Sequence, residues 1–189
     1  MKNIYLMSLA GLAAVLFAVL TFFPRKSRKK SVYLMTQAAM IAALYVVLTF
    51  LANAFGLANY AVQVRFSEAL TILPCFTAAG IPGLFIGCLI ANILTGCALP
   101  DILFGSLATL IGALGTRKLR TYKWLAPLPP ILANAIIVPF VLKYAYGIEP
   151  LWFSFVTITL GEILSCGVLG LLLLSALEKY RGRLFGRAS

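Results

Sequence analysis

Thirteen of the chain's sixteen lysines and arginines fall into three short clusters, and the stretches between them are long, apolar and nearly free of charge. Arg25, Lys26, Arg28, Lys29 and Lys30 form the first cluster. Arg117, Lys118, Arg120 and Lys123 form the second, and Lys179, Arg181, Arg183 and Arg187 the third. Hydrophobic residues fill 62% of the 189 positions, against about half in a soluble domain. The apolar runs are continuous, without the period-two alternation of a membrane β-barrel. The pattern predicts an all-α integral membrane protein folded as one bundle.

Apolar segments suited to crossing lie at 3–23, 32–56, 66–80, 82–99, 101–116, 124–146 and 152–178. The region 66–99 decides the topology. Read as one kinked helix, it puts the first two basic clusters on opposite faces. Broken at Ala79-Gly80-Ile81-Pro82-Gly83, it adds a crossing and brings all three clusters to one face, as the positive-inside rule requires. The expected organisation is an extra N-terminal transmembrane helix and basic loop (1–31), a six-helix membrane domain (32–178) and a basic cytoplasmic tail (179–189). Segment 3–23 has no small-x-small cleavage site after it and a basic flank on its far side, which favours a retained helix over a signal peptide. Tyr122 and Trp124 mark an inner aromatic belt; Tyr144, Tyr146 and Trp152 mark an outer one.

Several function classes drop out. The net charge of +11 is placed as membrane-flanking loops are, so lipid head groups suffice as partners and nucleic acid is not expected. There is no histidine, and Cys75, Cys88, Cys97 and Cys166 have no CxxC spacing. No metal site, disulfide framework or His-activated nucleophile is expected, and no residue is assigned a catalytic role. A Walker A motif is absent, so any ATP-driven step belongs to another chain.

Against this background the stretch QVRFSEALTILP (63–74) carries Arg65 and Glu68 into apolar surroundings. Glu162 lies ten positions into the last segment, roughly 15 Å deep, and Asn134 is about equally deep in its own. Asn92 and Asp101 sit nearer the outer rim, and Arg65 and Glu68 are expected at the outer mouth, where the loop becomes a helix. A carboxylate at the bilayer centre costs roughly 2.5–3.5 kcal/mol on insertion scales, so such groups face a bundle interior or a cavity. Each also has a structural alternative: Glu162, Asn92 and Asn134 as interhelical hydrogen-bonding groups, Arg65 and Glu68 as an i,i+3 ion pair at a helix start. Pro130 and Pro139 bracket Asn134 and are expected to kink that helix. Gly83-x-x-x-Gly87, Ala108-x-x-x-Gly112, Ala38-x-x-x-Ala42 and Ala39-x-x-x-Ala43 are small-xxx-small patterns suited to close helix contact.

From about residue 33 to 178 the chain resembles the QueT family. The likeness is carried by QVRFSEALTILP, by IPGLFIGCLIANILTG (81–96), LPDILFGSLATLIG (99–112), LANAIIVP (132–139) and Gly161-Glu162. The resemblance implies a substrate-binding S component of an energy-coupling factor (ECF) transporter in a bacterial plasma membrane, multi-pass, with its C-terminus cytoplasmic. It implies a six-helix core, to which residues 1–31 add a seventh helix, and a ligand taken from outside: a queuosine precursor, a 7-deazaguanine such as preQ1, preQ0 or queuine. The partners implied are a transmembrane T subunit and two ATPase subunits that hydrolyse ATP, with no cofactor bound by this chain. Ala38, Ala39, Ala42 and Ala43 match the family's T-subunit contact, in either register, and Gly56 to Arg65 its lid loop.

With such a ligand, Glu162 or Glu68 would accept the paired ring and exocyclic N–H donors of the guanine-like edge. Asn92 and Asn134 suit the ring carbonyl and pyrrole N–H, and Glu68 or Asp101 a cationic aminomethyl group. Phe66, Tyr45 or Trp152 would stack on the ring plane. The rival readings are an S component for another vitamin or nucleobase, a membrane enzyme using Glu162 and Asp101, and a ligand-free assembly subunit.

Overall fold

The computed structural model describes residues 28–59 and 62–185. The elements are α1 (Arg28–Ala54), a hairpin of two-residue strands β1 (Ala58–Asn59) and β2 (Val62–Gln63), a 3-10 segment (Phe66–Cys75), α2 (Gly80–Leu94), α3 (Leu99–Lys118), a 3-10 turn (Lys123–Leu125), α4 (Leu128–Tyr146), α5 (Leu151–Glu162), a π-helical stretch (Ile163–Leu169) and α6 (Gly170–Leu184). Among the described residues, four stretches are long and apolar enough to cross a membrane: Ser31–Ala54, Leu99–Lys118, Lys123–Tyr146 and Leu151–Gly182. Their outer faces carry exposed apolar side chains such as Met40, Val47, Ile136, Phe140, Leu160 and Leu172. The protein is an all-α membrane protein. The helix expected over 3–23 lies outside the described residues.

Contacts fix the direction of each crossing. Ala38 and Ile41 of α1 meet Gly83 of α2, and Ala42 and Tyr45 meet Gly87, so α1 and α2 run parallel. Between them the chain must come back, and the 3-10 segment brings it. Its Ser67 is hydrogen-bonded by Thr49 and its Glu68 by Tyr45, and beyond it Thr77 donates to Gln37. The return therefore spans twelve residues of α1, about 18 Å at the helical rise. Ten 3-10 residues cover about 20 Å, where an α-helix of that length covers about 15 Å. Then α3 and α4 pair antiparallel, with Gly112 against Pro130 and Thr116 donating to the Ala126 carbonyl. The described residues thus make six crossings.

Among the described residues, the start of α1, the end of α3 with the loop after it, and the end of α6, which carry or adjoin the three basic clusters, gather at one end. Tyr33 near the start of α1 donates to the Leu184 carbonyl at the end of α6, and Glu178 of α6 pairs with Lys123 at 2.7 Å and Arg181 at 3.7 Å. The charge argument that split region 66–99 is thereby met in space.

Two expectations need correction. The crossing expected as a helix over 66–80 is the shorter 3-10 segment Phe66–Cys75, and every residue of it but Phe66 is buried. It is wrapped by other helices, so its backbone and polar side chains never meet lipid. The turn ends at Ala79, and Pro82 sits in the first turn of α2, where a missing N–H costs no helical hydrogen bond. Pro130 likewise lies in the first turn of α4; only Pro139 is internal to that helix.

The small residues make the α1–α2 seam possible. A Cβ on Gly83 would lie 2.8 Å from the Ala38 carbonyl oxygen, and one on Gly87 would lie 2.8 Å from the Tyr45 Cβ. Ala38 and Ala42 are buried in this seam, while Ala39 and Ala43 point away and are exposed. Gly87→Val is therefore expected to destabilise the protein by about 1–3 kcal/mol in detergent thermal unfolding. Gly182→Ala, at a position with no atom within 4 Å of an added Cβ, serves as the control and leaves the transition in place. Equal transitions for the two variants would contradict the seam.

Candidate functional site

Polar side chains from seven elements of the chain meet inside the bundle in two tiers. The 3-10 geometry aligns residues three apart on one face. Arg65, Glu68 and Thr71 share such a face, with Arg65 as the residue preceding the segment. One turn, about 6 Å, separates the tiers along it.

The deep tier centres on two carboxylates. Glu68 and Glu162 are 2% and 6% exposed. Glu68 Oε1 accepts a hydrogen bond from the Tyr45 hydroxyl, and its Oε2 has no partner. Glu162 Oε1 accepts from Asn134 Nδ2 at 3.0 Å, and its Oε2 from the Cys166 thiol, also at 3.0 Å. The backbone carbonyl of Glu68 receives Thr71 Oγ1 at 2.6 Å and is approached by Cys166 Sγ at 3.4 Å. Glu162 ends α5, and the π-helical stretch that follows places Cys166 beneath it. Insertions of this kind recur at functional sites because they re-aim side chains without breaking the helix.

The outer tier is a chain of polar contacts. Arg65 donates to Asn92 Oδ1 at 3.4 Å, and Asn92 Nδ2 reaches the Asp101 carbonyl at 3.4 Å. The Tyr146 hydroxyl donates to Asp101 Oδ2 at 3.2 Å and accepts the Ala98 N–H at 2.9 Å. Gly105 leaves room for this meeting, since a Cβ there would lie 3.2 Å from Asp101 Oδ1 and 3.3 Å from Asn92 Nδ2. The Arg65 guanidinium feels the charges of both Asp101 and Glu68. Neither carboxylate comes within 4.0 Å of it, so the i,i+3 ion pair with Glu68, the structural alternative for these two residues, is not formed.

The structure therefore joins Tyr45, Glu68, Asn134 and Glu162 in one group, and Arg65, Asn92 and Asp101 in another. Tyr45 is fully buried and engages Glu68 through its hydroxyl. Phe66 is half-buried at the start of the 3-10 segment. Trp152 stays apart: it is 67% exposed at the head of α5, edge-on to Phe153.

A model of the QueT transporter family matches residues 35–179. The chain belongs to this family. Searches among curated proteins and among solved structures found no match. As a member of a transporter family with four membrane-length apolar helices among its described residues, the protein is a membrane-embedded transport protein, and the buried polar tiers are the natural candidates for its ligand contacts.

Sequence reasoning missed Cys166, Thr71 and Tyr146. The i,i+4 spacing of Glu162 and Cys166 was available as a signal, but the thiol read as a small packing residue. Tyr146 looked like an interfacial aromatic; its hydroxyl instead turns inward to Asp101. One oxygen each of Glu68 and Glu162 and the Cys166 sulfur lie within 4.8 Å of one another, a spacing that can hold a cation. In the arrangement seen, Cys166 acts as a hydrogen-bond donor to Glu162, which a thiolate ligand cannot do.

Removing the Tyr45 hydroxyl leaves both Glu68 oxygens unpartnered in the interior. Tyr45→Phe is expected to lower stability by about 1–3 kcal/mol, read by thermal unfolding in detergent without ligand. Adding Glu68→Leu in the same chain should recover part of that loss, because no buried acceptor then remains unpaired. A double variant less stable than Tyr45→Phe would contradict the pairing.

Proposed function

We propose that the protein is the substrate-binding S component of an ECF-type importer and that it takes up a 7-deazaguanine queuosine precursor. The observation that carries this reading is the meeting of two buried carboxylates, Glu68 and Glu162, with Asn134 donating to one of them. Family membership supports the transport role; the chemistry of the tiers supports the ligand class.

A guanine-like edge presents two parallel N–H donors, and a carboxylate accepts both. Glu162 is the proposed reader of that edge, exchanging its bonds from Asn134 and Cys166 for bonds from the ligand. Asn134 then turns its amide to the ring carbonyl. Glu68, with one oxygen already unpartnered, takes the group carried on the five-membered ring. That unpartnered oxygen suits a charge-assisted bond from a cationic aminomethyl substituent better than a contact with a neutral nitrile. Arg65, Asn92 and Asp101 are the proposed outer closure, and the hairpin of β1 and β2 belongs to the proposed lid loop between Gly56 and Arg65.

The basic end is assigned to the cytoplasm by the positive-inside rule. From there the T subunit and two ATPases would drive release. Ala39 and Ala43 are the exposed alanines of α1, whereas Ala38 and Ala42 are spent on α2. The exposed pair is the proposed T-subunit contact.

Equilibrium binding by the purified protein tests the ligand assignment. Glu162→Gln should weaken aminomethyl- and nitrile-deazaguanine alike by roughly 10–150-fold, the equivalent of a charged hydrogen bond of about 1.5–3 kcal/mol. Glu68→Gln should weaken the aminomethyl compound more than the nitrile. Wild-type affinity for both ligands in Glu162→Gln rules out Glu162 as the edge reader. In cells, Ala39→Trp with Ala43→Trp should abolish uptake and co-purification with the T subunit while leaving ligand binding within about twofold, since an exposed position disturbs no packed contact. Normal uptake by that variant would place the T-subunit contact elsewhere.

A further inference from the structure

The basic end holds a cavity that the transport site does not use. It has a volume of about 260 Å³ and lies where the end of the 3-10 segment, the end of α3, the loop after it and the last turns of α6 come together. Arg117, Arg120, Lys123 and Arg181 line it, with Phe76 and Thr121 among the remaining walls. We propose that this cavity binds a phosphate group, presented either by an anionic lipid headgroup or by a soluble phosphate.

Charge balance is the first argument. Four cations line the cavity, and the carboxylate beside them is Glu178, which pairs with Lys123 at 2.7 Å and Arg181 at 3.7 Å. Arg120 has no carboxylate within ion-pairing distance among the described residues. Like charges converging on one concave site repel unless an anion shares it. Arginines suit phosphate oxygens in particular, because their planar donors engage two oxygens at once.

The second argument is that the site is built. Arg117 NH1 donates to the Pro74 carbonyl at 2.9 Å, which fixes that guanidinium against the buried 3-10 segment. Phe76 is held by stacking on Phe185, with ring centroids 5.2 Å apart and planes 16° from parallel. A rigid aromatic wall beside a positioned arginine differs from a loose basic surface, whose side chains sample many rotamers.

Placement gives the third. Tyr122 and Trp124 are 66% and 83% exposed on the loop that contributes Thr121 and Lys123. Such aromatics sit at headgroup level, so the cavity opens at the depth where lipid phosphates lie.

The basic clusters of any membrane protein attract anionic lipid by about 1 kcal/mol per cation near the surface, so the test must separate a site from a surface. Lys118 and Lys179 belong to the same clusters, are exposed, and do not line the cavity. The full chain, delipidated in detergent, is titrated with phosphatidylglycerol and with phosphatidylcholine, and binding is read by native mass spectrometry and thermal shift. Phosphatidylglycerol is expected to bind in preference to phosphatidylcholine. Arg120→Gln with Arg181→Gln should weaken it at least about tenfold, as loss of two charge-assisted contacts implies, while Lys118→Gln with Lys179→Gln changes it less than about twofold. A separate arm titrates inorganic phosphate: competition with phosphatidylglycerol at millimolar phosphate identifies a soluble source, and its absence identifies the headgroup. Unfolding without lipid checks that the exposed substitutions leave the fold intact. Equal losses in the two double variants, or loss in neither, overturns the proposal.

Discussion

A polar backbone segment has to pass through the middle of this bundle without meeting lipid, and the other helices are arranged around that need. The 3-10 segment Phe66–Cys75 carries Ser67, Glu68 and Thr71 and is buried along all but its first residue. In a bilayer such a segment is viable only if protein surrounds it. Close approach of α1 and α2 through Ala38, Ala42, Gly83 and Gly87 supplies part of the enclosure. Cys166 and its π-helical neighbours supply another, reaching both Glu68 and Glu162.

The same constraint generates the chemistry. A tighter helix uses its ten residues to cover the distance that α1 spans in twelve, and its threefold repeat puts Arg65, Glu68 and Thr71 in line. Glu68 is thereby brought opposite Glu162, with Tyr45, Asn134 and Cys166 each satisfying one carboxylate oxygen. Partners of this kind are weak enough to be exchanged and strong enough to hold the acids in place without a ligand. On the function proposed, binding is a trade of hydrogen bonds, in which a ligand lacking the matching donors leaves buried acceptors unpaired and is rejected.

Much of this was legible in the sequence, for identifiable reasons. Charge placement alone required an extra crossing in region 66–99, because the three basic clusters must share a face. The cost of burying Asn134 and Glu162 marked them as facing an interior or a cavity, whereas Glu68 was expected at the outer mouth and lies in the deep tier instead. What stayed hidden was geometry that periodicity does not encode. A ten-residue apolar run with Pro74 near its end reads equally as a short α-helix, and the α-to-π transition after Glu162 leaves no compositional mark. The alanine register was ambiguous because both pairs have the same spacing; only the Cβ distances at Gly83 and Gly87 show which pair is already occupied. Trp152 looked like a stacking residue from type and depth, but the head of α5 faces it outward.

The central claim is that the Glu68–Glu162 pair receives the ligand. An experimental structure of the protein bound to an aminomethyl-deazaguanine is the most direct measurement. The account predicts the heterocycle between the 3-10 segment and the end of α5, with Glu162 released from Asn134 and Cys166 and bonded to the guanine-like edge. Ligand density elsewhere, with Glu162 still held by Asn134 and Cys166, would contradict it.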